Sequence, residues 1–348
     1  MDKLFMCGFF ADGKNIYNGQ AIKTHETYNL LKDKFGKEKI DYVDTYNWKK
    51  RPLNLIKNFF VKAKKAGYII MLPAHNGVKV FSLLLLIAKK IFKCKIYYDV
   101  IGGWLPEMTK KNIKLEKRLK RFDGIWVETK NMKAALENQG FTNIGIVPNF
   151  KNITPLKEEE LIFNTEKPFK FCFFARVTKE KGVEEAVKAI KEINKKYGNN
   201  TAVLDIYGPV NSDYTEGFEK LKVSFDKSIR YMGVVPPEKS VETIKNYFAL
   251  LFPTKFYTEG VPGTIVDAYA AGVPVITSRW QSCFDIFEEN ITGRSFEFEN
   301  YEDFFEKLSE AVGQPEDFLK MKKNCINLSA SYTPEYAIKK IEKLFDKN

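Results

Sequence analysis

The chain alternates, twice over, between short β-like runs and helical stretches, a pattern that a parallel sheet covered by helices on both faces accommodates. In the first half the strand-like runs are 4–10, 68–72, 95–100, 124–128 and 144–148, and helical spacing covers 24–35, 80–92 and 130–139. A second series places strands at 169–174, 202–207, 229–232, 249–253 and 273–277, with helices near 183–193, 217–225, 237–247 and 334–345. Single cores typically serve about 100–200 residues, so 348 residues divide naturally in two. The expected organisation is an α/β domain over 1–150, a polar linker over 151–167, and a second α/β domain over 168–330. A terminal helix within 331–348 is expected to pack back toward the first domain.

Charge is divided unequally. Residues 1–150 hold 28 Lys and Arg against 13 Asp and Glu, whereas the remainder holds 28 against 31. No acidic residue occurs between Asp44 and Asp99, while Lys49, Lys50, Arg51, Lys57, Lys62, Lys64 and Lys65 crowd one stretch. Leu53, Ile56, Phe59, Phe60 and Ala63 recur among them at helical spacing, which fits either an interfacial helix or a core helix with a solvated charged face. Such a half prefers an anionic surface.

The five scattered cysteines lack metal or redox spacing and are expected as reduced, mostly buried thiols. Two histidines, His25 and His75, exclude a multi-histidine metal centre. No leader is expected at the amino end, and the apolar run near Leu83 is stopped by Lys89 and Lys90, short of the roughly 20 residues of a membrane span. The chain is therefore expected to be cytoplasmic, or peripheral on the inner face of the plasma membrane.

The richest stretch runs from Phe252 to Ile276: a strand, a Gly/Pro-rich turn, a short helix and another strand. Its turn delivers a helix amino end to a sheet edge, where backbone N–H groups and the helix dipole favour a diphosphate. Glu259 precedes the turn and Asp267 lies one helical turn inside, a spacing that lets two carboxylates flank a nucleotide sugar. Thr264 to Asp267 also reads as a capping box with Thr264 as N-cap and Gly272 as the stop, and both readings stay open. Arg176 and Lys181 follow the strand at 169–174 and can hold two phosphates, although an isolated basic loop is equally a solvated turn. Gly19, before the first helix, permits close backbone approach to a phosphate or simply makes a turn.

The second half resembles the retaining family 4 glycosyltransferases (glycosyl transferases group 1). Arg176, Lys181-Gly182, Glu259 and Gly272-Val273-Pro274-Val275 stand where that family has its Arg, its Lys-Gly, the first Glu of Glu-x7-Glu, and Gly-x-Pro-Val. The likeness spans 168–312 and takes in Gly208 and Gly233. Asp267 replaces the second Glu, and Phe284-Asp285-Ile286 replaces the family's Pro-Glu-Ile or Pro-Glu-Val. The resemblance implies a GT-B fold, two Rossmann-like doubly wound domains facing across a cleft. It implies metal-independent retaining transfer of a hexose or N-acetylhexosamine from a nucleotide sugar, UDP-linked by preference, with no further cofactor. Arg176, Lys181 and Glu259 become catalytic, and Gly19, Gly208, Gly233, Gly263, Thr264, Ile265 and Asp267 become donor-binding.

Where family members carry a histidine near the transferred sugar, this chain has a strand ending in Asp99, with His75 at the end of the preceding strand as the substitute. A lone histidine is otherwise structural. The implied acceptor is a lipid-linked saccharide in surface polysaccharide assembly, such as a capsule. Two other readings remain: another GT-B enzyme, a phosphorylase or sugar 2-epimerase, and a basic nucleic-acid-binding protein that leaves Glu259 unexplained.

Overall fold

The computed structural model describes residues 3–14 and 18–346 and divides them into two compact units. The first comprises the described residues up to Asn152 and from Tyr332 onward, the second Ile153–Ser331.

The first unit begins with β1 (Leu4–Gly8), α1 (Gly19–Phe35), β2 (Ile40–Asp44), α2 (Pro52–Ala63), β3 (Tyr68–Met71) and α3 (His75–Phe92). It continues through β4 (Lys95–Asp99), α4 (Leu105–Lys111), α5 (Ile113–Leu119), β5 (Gly124–Val127), α6 (Lys130–Glu137) and β6 (Ile144–Ile146). All six strands are parallel, in the order β2-β1-β3-β4-β5-β6. The central runs are apolar on both sides of the pleat because both sheet faces are covered. Phe5, Cys7, Ile69, Met71, Ile96 and Tyr98 point to one face, with α2, α3, α5 and α6, and Leu4, Met6, Ile70, Tyr97 and Trp126 to the other.

In the second unit β7 (Phe169–Phe174) leads through α7 (Val183–Tyr197), β8 (Ala202–Tyr207), α8 (Thr215–Val223), β9 (Ile229–Gly233), α9 (Ser240–Ile244) and β10 (Ala249–Phe252). Then come α10 (Gly263–Ala270), β11 (Val275–Ser278), β12 (Gly293–Phe296), α11 (Tyr301–Gly313) and α12 (Pro315–Ser329). This sheet is also six-stranded and parallel, in the order β12-β11-β10-β7-β8-β9. The last helix, α13 (Pro334–Asp346), returns to the first unit, where Phe345 sits among Tyr68, Tyr97 and Trp126.

Several elements differ from the reading of the sequence. From Ile153 onward the stretch expected as a linker is part of the second unit, and the Leu156 N–H donates to Ala270 O at 2.8 Å. The helix expected at 80–92 starts at His75, which is therefore a helix residue and not the end of a strand. On α2, Phe59 and Ala63 are fully buried and Ile56 and Phe60 half-buried, so these four cover the sheet, while Leu53 of the same set stays exposed. Lys62 is likewise engaged, donating to Asp41 at 2.7 Å and to Tyr42 O at 2.6 Å. All five cysteines are buried thiols. No helix among the described residues is long and apolar enough to cross a membrane.

Candidate functional site

The carboxyl ends of β7 and β10 lie near each other because their strands pair, so the loops that follow them meet at one sheet edge. After β7 the chain passes Arg176, which is exposed, and makes a short turn over Lys179–Lys181 capped by the Thr178 side chain. Gly182 closes that turn at φ 79°, and a Cβ there would stand 2.0 Å from the Pro253 carbonyl, so only glycine fits. The Lys255 N–H donates to Glu180 O at 2.7 Å and fastens the two loops together. Gly208 does the same on the other side of β7: its Cβ would lie 1.9 Å from Ala175 O, directly before Arg176.

This close packing brings Lys181 and Glu259 into an ion pair, both side chains largely withdrawn from solvent. The same Glu259 oxygen accepts the Thr254 hydroxyl at 3.1 Å, and the Thr254 carbonyl accepts from Ser278 at 2.6 Å, so the carboxylate is held from β10 and β11. The Lys181 ammonium also lies 5.2 Å from the Phe252 ring and 5.0 Å from the Phe256 ring. A charged pair held this firmly at a sheet edge is suited to orienting hydroxyls and phosphate oxygens. Beside it, a pocket of about 280 Å³ is lined by Glu185, Thr254, Lys255, Asn300 and Tyr301.

The helix amino end differs from the capping-box reading. Pro262, not Thr264, occupies the N-cap of α10, and Thr264 donates its hydroxyl to Phe174 O at the end of β7. A tertiary partner ninety positions away thus replaces the local cap, drawing the start of α10 against the strand that leads to Arg176. The Ile265 N–H is bonded to Pro262 O at 3.0 Å and its side chain is fully buried. Gly263 and Thr264 supply the first amides of α10. Asp267 is buried on the same helix. Gly233 ends β9 at φ 81°, and its carbonyl takes the Gly208 N–H at 2.8 Å.

In the first unit, Gly19 opens α1 behind the Asn18 cap, exposed and with no atom within 4 Å of where a Cβ would stand. His75 begins α3 and stacks on Trp104 with ring centres 4.0 Å apart. Partial burial there holds its pKa below the ordinary value and favours the neutral ring. Asp99 is fully buried at the end of β4, 3.0 Å from the Lys23 ammonium, which also donates to Glu128 at 2.9 Å and to Val100 O at 2.7 Å. Burial raises the Asp99 pKa against the pull of Lys23, whereas for Lys23 the two carboxylates outweigh burial and keep its pKa raised. No motif spacing in the sequence announced this cluster, because its members come from α1, β4 and the residue after β5.

Residues 157–328 match the family described as glycosyl transferases group 1. An alpha-monoglucosyldiacylglycerol synthase of Acholeplasma laidlawii is 29% identical over 218 residues, 60% of this chain and 52% of that protein. An amylovoran biosynthesis glycosyltransferase, AmsK of Erwinia amylovora, is 22% identical over 166 residues, 47% of this chain and 39% of that protein. The chain thus spans about half or less of the length of these two relatives. The crystal structure of Anabaena HepE in complex with UDP-glucose aligns over 100% of both chains with a TM-score of 0.79 at 12% identity, a likeness of fold. With two parallel six-stranded sheets and this match along its second half, the chain has the GT-B fold, and its residues 157–328 resemble the glycosyl transferases group 1 family.

Proposed function

We propose that the chain transfers a hexose or N-acetylhexosamine, with retention of anomeric configuration, from a UDP-sugar to a lipid-linked saccharide acceptor in surface polysaccharide assembly. The observation that carries this reading is the Lys181–Glu259 pair beside the amino end of α10. As the bond from C1 to the diphosphate oxygen breaks, its electron pair leaves with the diphosphate. Arg176, Lys181 and the first α10 amides offset that charge without a metal ion. Glu259 orients the sugar hydroxyls, and Asp267 serves the ribose end of the donor. The acceptor oxygen then bonds to C1 on the same face, and its proton passes to the departing diphosphate. His75 is the first unit's candidate for acceptor contact, because its neutral ring is half-exposed and fixed against Trp104.

The choice of a lipid-linked acceptor rests on the basic character of residues 1–150 and on relatives that are a glycolipid synthase and a polysaccharide glycosyltransferase. On this reading the chain works in the cytoplasm, peripheral to the inner face of the plasma membrane. The deciding experiment is a panel of nucleotide sugars read by thermal stabilisation and by slow donor hydrolysis, with and without EDTA. A UDP-sugar that stabilises the chain and is hydrolysed equally in EDTA supports the proposal. No response to any donor overturns it, and a response abolished by EDTA overturns its metal independence.

A further inference from the structure

Three neighbouring helices of the first unit turn large aliphatic side chains outward. Leu83, Ile87 and Ile91 recur at every fourth position of α3 and are exposed, while Phe81, Leu85 and Ala88 of the same helix fill the core. Beside α3 lies α2, joined to it through the Phe60–Phe92 ring contact, and α2 adds Leu53, 81% exposed, and Val61. On α5, which meets α3 through Arg118 donating to Lys79 O at 3.0 Å, Ile113 is 63% exposed. Aliphatic groups scattered singly over a surface need no explanation, but a gathering on adjoining helices does.

The charges carried by α2 and α3 are of one sign. Lys57, Lys64, Lys65, Lys90, Lys93 and Lys114 are exposed and have no acidic partner among the described residues. Neither α2 nor α3 contains an Asp or Glu, and the Glu116 carboxylate of α5 is taken by Lys120. Aliphatic side chains ringed by long, flexible ammonium groups match an interface in which acyl chains lie beneath anionic headgroups. A single-stranded nucleic acid would use the lysines but has no partner for an aliphatic stripe, since bases stack on aromatic rings.

We infer that the outer face of α2, α3 and α5 docks on an anionic lipid bilayer, with Leu83, Ile87 and Ile91 entering the headgroup region and the neighbouring lysines pairing with lipid phosphates. This rests on the proposed function only for the idea that the acceptor is carried by a lipid. The docking element is α3, whose outward stripe the sequence pattern alone does not distinguish from its core stripe.

The test is co-sedimentation of the full chain with vesicles of phosphatidylcholine alone or mixed with phosphatidylglycerol. The chain is expected to bind the mixed vesicles and to be released by salt. The variant Leu83→Ser, Ile87→Ser, Ile91→Ser should lose about tenfold or more in partition while melting cooperatively, because all three side chains are exposed. Neutralising Lys64, Lys65 and Lys90 to Gln should cost roughly fivefold per lysine at low salt. Unchanged vesicle binding by the triple serine variant overturns the inference, as does binding to single-stranded RNA with no binding to either vesicle. Nucleotide-sugar stabilisation measured on the same samples separates the two readings. Donor response without vesicle binding removes the docking surface and leaves the transfer reading standing; vesicle binding without donor response does the reverse.

Discussion

Lys181 and Glu259 stand 78 positions apart in the chain, yet form an ion pair whose carboxylate oxygen is shared with the Thr254 hydroxyl. Replacing Glu259 with Ala leaves Gly182, Pro253 and Thr254 in place, so the fold should persist while sugar orientation is lost. Transfer should fall by about 100-fold or more. Steady-state assay with the donor found in the panel, alongside a melting curve, checks both halves of the expectation.

Gly182 joins that pair to the sheet at a position where only glycine fits, with φ 79° and the Pro253 carbonyl 2.0 Å from a Cβ position. Gly182→Ala should destabilise the chain by about 1–3 kcal/mol through backbone strain and should weaken donor binding as the Lys181 turn shifts. Urea unfolding and a nucleotide-sugar titration measure the two effects.

Lys322 on α12 is nearly all buried, donating to Gly272 O at 3.3 Å, and burial lowers its pKa to about 8. Between about pH 8 and 10.5 the unfolded chain binds this proton and the folded chain does not, so its contribution makes stability rise with pH across that window. Below pH 8 the buried charge is a cost on folding. Lys322→Met should therefore stabilise the chain at pH 7, by up to about 3 kcal/mol, and flatten the rise. Denaturant midpoints taken from pH 7 to 10 will show it.

His75 should titrate below the ordinary histidine pKa, because partial burial against Trp104 disfavours the imidazolium. With two histidines in the chain, proton NMR can assign both resonances by a single His75→Gln substitution. Trp104→Ala should move the titration back toward 6.5 as the ring gains solvent.

The central strands were legible because β7, β8 and β10 are apolar runs covered on both faces, and α7 shows its buried side at clear helical spacing. The loops carrying Lys181 and Glu259 stood out because glycine, proline and charge meet there. What stayed hidden depends on partners distant in the chain. β2 is an edge strand with two aspartates in five residues, a composition that local propensity disfavours. Thr264 looked like a cap because its true acceptor is on β7, and the Lys23, Asp99 and Glu128 cluster exists only once α1 is laid across the ends of β4 and β5. On α2 the periodicity was plain, but not that Leu53 stays exposed while Phe59 and Ala63 are buried.

The return of α13 to the first unit has a bearing on how the chain is made. One face of the first sheet, with Tyr97 and Trp126, is completed by Ala337, Ile341 and Phe345, which leave the ribosome only after the whole second unit. During synthesis the second unit can close on its own residues while the first, begun earlier, waits with that aromatic face uncovered. Completion of the first unit thus waits on the last helix to be made, and a chain ending before Pro334 lacks the side chains that cover Tyr97 and Trp126.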